Sequence, residues 1–273
     1  MRRCLLVKVI AGLLLATGSA SATLIHFEGF EDPSWVQGQP GNWKPFFSTA
    51  TRVVSGTDGI TSRSGGAHAT LQSSLNGAGP VTDFGGWSSD FGAGFATSLD
   101  IYLDPLWDAG RAFTYRVGVN RQNGDQLRFF DWRFDAEGSE LHINAAHTGD
   151  SGATGPSPEF VVSQVGWYTF ENVFRNNGGS LLVDFNVYDD SDMLLYTASR
   201  GELTDDIASL VGGNRNGWLF NRTNNAVTGL AIDNTRLTGL DPIPEPATMT
   251  LLGIGLAGLT LRQRRKSKEG SSA

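Results

Sequence analysis

Apolar and polar positions alternate with period two through most of the middle of the chain. Leu99, Ile101 and Leu103 are separated by Asp100 and Tyr102, and Phe113, Tyr115, Val117 and Val119 by Thr114, Arg116 and Gly118. Phe130, Trp132 and Phe134 alternate with Asp131 and Arg133, and Leu181, Val183, Phe185 and Val187 share one face with Asp184 and Asn186 on the other. Such a period marks antiparallel strands with one buried face. The same reading predicts strands at 24–28, 67–71, 141–144, 160–163, 167–174, 193–197, 218–220 and 230–237. Asn123-Gly124, Asn177-Gly178-Gly179 and Asp189-Asp190-Ser191-Asp192 supply turns between them. Only 204–210 has a helical pattern, with Thr204 placed to cap it.

Many short strands with glycine-rich turns, no internal repeat and no long linker predict an all-β body, a jelly-roll β-sandwich at 23–241. The two ends differ in kind. Arg2, Arg3 and Lys8 precede an apolar stretch from Val9 to Ala16, and Ala20-Ser21-Ala22 offers small residues for cleavage. Residues 1–22 therefore read as a signal peptide, in helical form, removed by signal peptidase. Its removal takes away Cys4, the only cysteine, so the exported body must be held by its core and not by disulfides.

At the other end, 242–273, Pro244, Glu245 and Pro246 precede an apolar run at 247–261, followed by Arg262, Arg264, Arg265, Lys266 and Lys268. Proline punctuation, an apolar helix and a basic stop, in that order, resemble the sorting signal of PEP-CTERM proteins. The resemblance implies export to the cell surface, processing by an exosortase near Pro244-Glu245-Pro246, and a host that builds exopolysaccharide. The apolar run spans about 22 Å as a helix, short of the roughly 30 Å hydrocarbon core. That length suits transient inner-membrane anchoring before release to the outer surface or extracellular matrix; a permanent short anchor is the alternative. Gly253-Ile254-Gly255-Leu256-Ala257-Gly258 fits GxGxxG letter for letter, but without a preceding strand or βαβ unit it is a stripe of small residues on that helix.

Charge sharpens the picture. The two ends carry eight of the 21 basic residues and two of the 28 acidic ones, so removing them leaves 13 against 26 and moves the net charge from −7 to −13. An acidic body repels phosphate, which excludes nucleic acid as a partner. It is compatible with neutral glycans, with bound cations, or simply with solubility outside the cell.

Within 24–238 a second, looser resemblance rests on Phe27-Glu28, Trp35, Trp43, Ser64-Gly65-Gly66-Ala67-His68-Ala69, Gly166-Trp167-Tyr168-Thr169-Phe170 and Ala231-Ile232-Asp233-Asn234. Their order is similar to that in concanavalin A-like and laminin G-like sandwiches and in jelly-roll carbohydrate-binding modules. That likeness implies a structural calcium ion bridging the first and last strands, at Glu28 and Asp233 with a carbonyl from 64–68. Glycan recognition needs aromatic faces beside polar groups, because the CH faces of pyranoses stack on rings. Trp35, Trp43, Trp87, Trp107 and Trp218 are the candidates, with Arg111, Arg128 and Asn216 as polar company.

Catalytic sets are absent from the sequence pattern. A glycosidase needs two carboxylates flanking one bond; Glu137 and Glu140 instead flank a Gly-Ser turn. His26, His68, His142 and His147 show no metal-binding spacing. The expectation is a non-enzymatic surface or exopolysaccharide-matrix protein. A calcium-stabilised carbohydrate-binding module is the second reading, and a polysaccharide hydrolase or lyase the third.

Overall fold

In the computed structural model, residues 22–39, 43–46, 48–73, 79–84, 94–120, 127–149, 152–153, 159–201, 215–222 and 228–240 are described. The first 21 residues of the predicted signal peptide, the sorting segment, Trp87, the Asn123-Gly124 turn and the predicted 204–210 helix lie outside the described residues. The strands, in chain order, are β1 (Ala22–Glu28), β2 (Ser48–Val54), β3 (Ala67–Ser73), β4 (Val81–Thr82), β5 (Gly94–Leu103), β6 (Ala112–Asn120), β7 (Leu127–Glu137) and β8 (Glu140–Gly149). They continue as β9 (Gly152–Ala153), β10 (Phe160–Val162), β11 (Gly166–Asn177), β12 (Ser180–Tyr188), β13 (Leu194–Arg200), β14 (Arg215–Asn221) and β15 (Thr228–Leu240).

The strands form two antiparallel sheets. One has the order β13-β12-β11-β5-β15-β3-β2, with β1 also paired to β15; the other runs β10-β8-β7-β6-β14-β4, with β9 on β8. The inward alternating sets are the predicted ones: Leu99, Ile101, Phe113, Tyr115, Val117, Phe130, Trp132, Phe134, Val183 and Phe185 are all buried. Aromatic rings lock the layers together. Trp132 and Phe134 on β7 meet Phe170 on β11 edge-on at 5.1 and 4.9 Å, and Phe130 meets Phe174 at 5.4 Å. Each such pair adds about 0.5–1.5 kcal/mol beyond its buried area.

Two departures from the alternation matter for function. First, β5 is buried on both faces, so Asp100 is 1% exposed although its place in the alternation is on the polar side. Residues 61–64 lie over that outer face: Trp167 Nε1 donates to the Thr61 carbonyl at 2.7 Å, and Ser64 N to Asp233. Second, β15 is bulged between Asp233 and Arg236, and Asn234 takes a left-handed backbone at φ 48°. On its other edge β15 is shared, pairing with β3 through Thr228 to Ile232 and with β1 through Thr235 to Leu240. First and last strands therefore lie side by side, as the sequence led us to expect.

Candidate functional site

A cleft of about 190 Å³ is lined by Asp58, Gly59, Ile60, Tyr102, Asp104, Trp107, Gly229 and Ala231. Each wall has a local cause. Asp104 opens the turn after β5: its Oδ1 accepts from Leu106 N at 2.8 Å and its carbonyl from Trp107 N at 3.2 Å. An aspartate folding back on the next residues is a standard turn device. It leaves Trp107 half-buried, its ring edge-on to Phe113 at 5.9 Å. Tyr102 ends the outer face of β5, edge-on to Trp167 at 5.5 Å. Opposite, Thr57–Gly59 makes one tight 3-10 turn, closed by Ile60 N donating to the Thr57 carbonyl at 3.0 Å. Asp58 sits there at φ 53°, and Gly59 at φ 79° spares the next position a side chain in the same unfavourable region. Two aromatic and two acidic residues thus line one opening, with Asp58 exposed to solvent.

Of the five predicted tryptophans, Trp107 lines this cleft. Trp35 and Trp43 are corrected: they are 7% and 0% exposed and belong to the core. Trp35 Nε1 donates to Glu28 Oε2 at 2.8 Å, and Trp43 Nε1 to Thr235 Oγ1 at 2.9 Å. A ring with no face to water cannot stack on a sugar. Trp218 is half-buried on β14, edge-on to Phe129 at 5.8 Å; a methyl group at Gly118 would come within 2.9 Å of it. Arg128, offered as a polar contact, is 3% exposed and so is corrected too. Arg111 pairs with Asp108 at 2.6 Å, and Asn216 is half-buried on β14.

Glu28 and Asp233 were the calcium pair. The structure surrounds both carboxylates with N–H donors. Glu28 accepts from Phe30 N and Trp35 Nε1, both at 2.8 Å; Asp233 accepts from Ser64 N at 3.1 Å and Asn234 N at 2.8 Å. Each of the four carboxylate oxygens thus already accepts one N–H, which competes with a hard cation for the same atoms. Among the described residues no group of three or more Asp, Glu, His or Cys side chains could hold a metal ion. As placed, these residues do not fit calcium.

The close carboxylate neighbour of Asp233 is Asp100, its register partner on β5. Asp100 accepts from Thr169 Oγ1 at 2.5 Å and Asn234 Nδ2 at 2.7 Å, with Arg63 Nε 3.8 Å away. Burial, helped by the charges of Asp100 and Glu31 and opposed by the two N–H donors, raises the Asp233 pKa to about 7. Burial likewise raises Asp100, against its hydrogen bonds from Thr169 and Asn234. Alternation had assigned Asp100 to solvent; no local signal distinguishes it from Asp184, which is part-exposed.

Glu137 and Glu140 face each other across the β7–β8 turn and are exposed. The histidines are dispersed: His142 pairs with Glu159 at 2.9 Å, His68 with Ser62 at 3.0 Å, and His147 stacks on Phe130.

The tail is decided by comparison with known families. Residues 242–266 match the PEP-CTERM protein-sorting motif. The sorting motif marks the chain as surface-destined and secreted, with a membrane-associated C-terminal signal and an exosortase as its processing partner. No curated protein matches the chain. Among solved structures, a protein of unknown function from Shewanella oneidensis is similar in fold, at 11% identity and TM-score 0.51, covering 79% of this chain and 85% of its own. Looser likenesses include the alginate lyase from Aplysia kurodai (8% identity, TM-score 0.47, 70% of this chain and 86% of its own). Another is winged bean acidic lectin complexed with methyl-α-D-galactose (12%, TM-score 0.38, 79% and 99%).

Proposed function

We propose that the sandwich is the cargo of the sorting motif and that, once released at the surface or in the matrix, it binds glycan without transforming it. The observation that carries this reading is the Trp107 cleft, which a partly buried indole and Tyr102 line together with Asp58 and Asp104. A ring offers a CH-stacking surface, and carboxylate oxygens accept from vicinal hydroxyls. Two acidic groups on an acidic body favour neutral sugars over uronates. The cleft is smaller than the roughly 300–1,000 Å³ of enclosing ligand pockets, so it suits one unit of a longer chain, held weakly and repeatedly. No general acid–base pair is needed for that role.

The test is titration of residues 23–241 with neutral oligosaccharides from the host's own exopolysaccharide, followed by tryptophan fluorescence. Loss of ring stacking in Trp107→Ala should weaken binding about tenfold, roughly 1–2 kcal/mol, while Trp218→Ala leaves it within about twofold. Unchanged affinity in Trp107→Ala, with the fold intact, would remove the cleft from consideration. New reducing ends on incubation would show turnover instead of binding.

A further inference from the structure

The strand at which the described residues begin carries an exposed apolar patch. Leu24, Ile25 and Phe27 on β1 are 57%, 47% and 46% exposed, and no charged residue occurs between Ala22 and Phe27. Strict alternation would have hidden part of this set. A register shift between Leu24 and His26 places Ile25 in a β-bulge, so three neighbouring apolar side chains are exposed together. Beyond them, β1 has no strand on its outer edge among the described residues. The guanidinium of Arg236, the register partner of Phe27, lies over the Phe27 ring, 5.5 Å from its centroid. Open strand edges are usually blunted by charged side chains or proline; this one has neither before Glu28.

The position of the patch identifies what covers it. Ala22 is the register partner of Leu240, and Leu24 of Thr238. The sorting motif begins at residue 242, and its apolar run at Ala247. Seven Cα steps at most separate Leu240 from that run, so the end of β15 stays within about 25 Å of it when the run is inserted. The β1 edge is therefore tied to the membrane by one of the shortest paths the chain allows. We infer that, in the unprocessed protein, the Leu24–Ile25–Phe27 edge docks on the phospholipid surface that the sorting motif enters. This rests on the sorting reading and adds an orientation to it.

The chemistry fits a lipid interface. Aliphatic and aromatic side chains settle at the headgroup–acyl boundary, and an adjacent arginine reaches lipid phosphates. The rest of the body, at net −13 after loss of both ends, is repelled by anionic lipid, so this edge is the one turned towards the bilayer. Three side chains hold a domain only weakly by themselves, much as one acyl chain gives only marginal anchoring. Tethering supplies a high effective concentration, and cutting the tail removes it. Docking is thus a property of the precursor that ends with processing.

Residues 23–273 contain no cysteine, because the only one is Cys4. Single variants Leu24→Cys, Phe27→Cys and, as a control, Leu106→Cys, at a site 76% exposed, are labelled with an environment-sensitive fluorophore. They are then reconstituted into phosphatidylcholine–phosphatidylglycerol vesicles. The expected result is blue-shifted emission, quenched by spin-labelled lipid, at 24 and 27 but not at 106. Proteolysis at a site engineered between 242 and 246 should reverse it. Solvent-like emission at 24 and 27 in chain that co-floats with the vesicles overturns the docking and leaves the sorting reading standing. Failure to float overturns both. A shift that appears without lipid and grows with protein concentration assigns the edge to a second copy of the chain.

Discussion

Asp100 and Asp233 oppose each other on adjacent strands at 1% and 0% exposure, and replacing Asp100 tests whether their repulsion governs stability at neutral pH. Directly paired strand residues have Cβ atoms about 5 Å apart. Carboxylates roughly 6 Å apart at an effective dielectric near 20 would repel by at most about 2.8 kcal/mol, and this repulsion adds to burial, the largest cause of the raised Asp233 pKa. The folded pKa of Asp233, about 7, lies above its ordinary value of 3.8. The sign follows: between those values the folded state keeps a proton that the unfolded state has lost, so stability falls as pH rises. The stabilisation is fully present below about pH 4 and is lost as pH rises through about 7. Asp100→Asn preserves the local hydrogen bonds, because its oxygen still accepts from Asn234 and the Thr169 hydroxyl can turn to accept from its amide. Because the attraction of Arg236 and Arg63 for Asp100 is lost with the charge, the variant should gain about 1–2 kcal/mol at pH 8 and little at pH 4.5. His68, whose pKa burial lowers, works in the opposite direction by costing stability as pH falls below its ordinary value of 6.5. It is common to both proteins and cancels in their difference. Urea midpoints followed by tryptophan fluorescence at pH 4.5, 6 and 8 supply the measurement. A wild-type-to-variant difference that is the same at all three pH values refutes the coupling.

Three further outcomes are expected. Chelation should leave the melting temperature unchanged, since Glu28 and Asp233 already accept from N–H groups; a drop of several degrees would reveal coordination. Gly94→Ala should cost more than about 2 kcal/mol, because at φ 138° a new Cβ would lie 2.1 Å from the Phe174 carbonyl oxygen; a variant as stable as wild type would contradict that path for the start of β5. Asn172 is fully buried, and neither atom of its amide meets a hydrogen-bond partner. Asn172→Leu should therefore stabilise by about 1–2 kcal/mol in urea titration; destabilisation would mean the amide is bonded in solution.

The sorting tail was legible because it acts as a linear signal: order and composition are the information, and no distant residue has to complete it. The strands were legible for a related reason. Period-two alternation at 98–103, 113–119, 130–134 and 181–187 is imposed residue by residue by the pleat. Strand β2 escaped notice because Ser-Thr-Ala-Thr-Arg-Val-Val carries little apolar contrast. Local pattern could not sort the tryptophans. Trp43 is enclosed because Thr235, 192 positions away, comes to meet its indole nitrogen, whereas Trp107 stays half-open because its own turn holds it at the rim. Nor could it show that residues 61–64 roof over β5, turning Asp100 from a surface carboxylate into a buried one and giving Asp233 an N–H partner. The sequence by itself determined the strands and the export signal. Tertiary structure decided which polar and aromatic groups meet water, because exposure depends on what the rest of the chain lays over a residue and not on its neighbours in sequence.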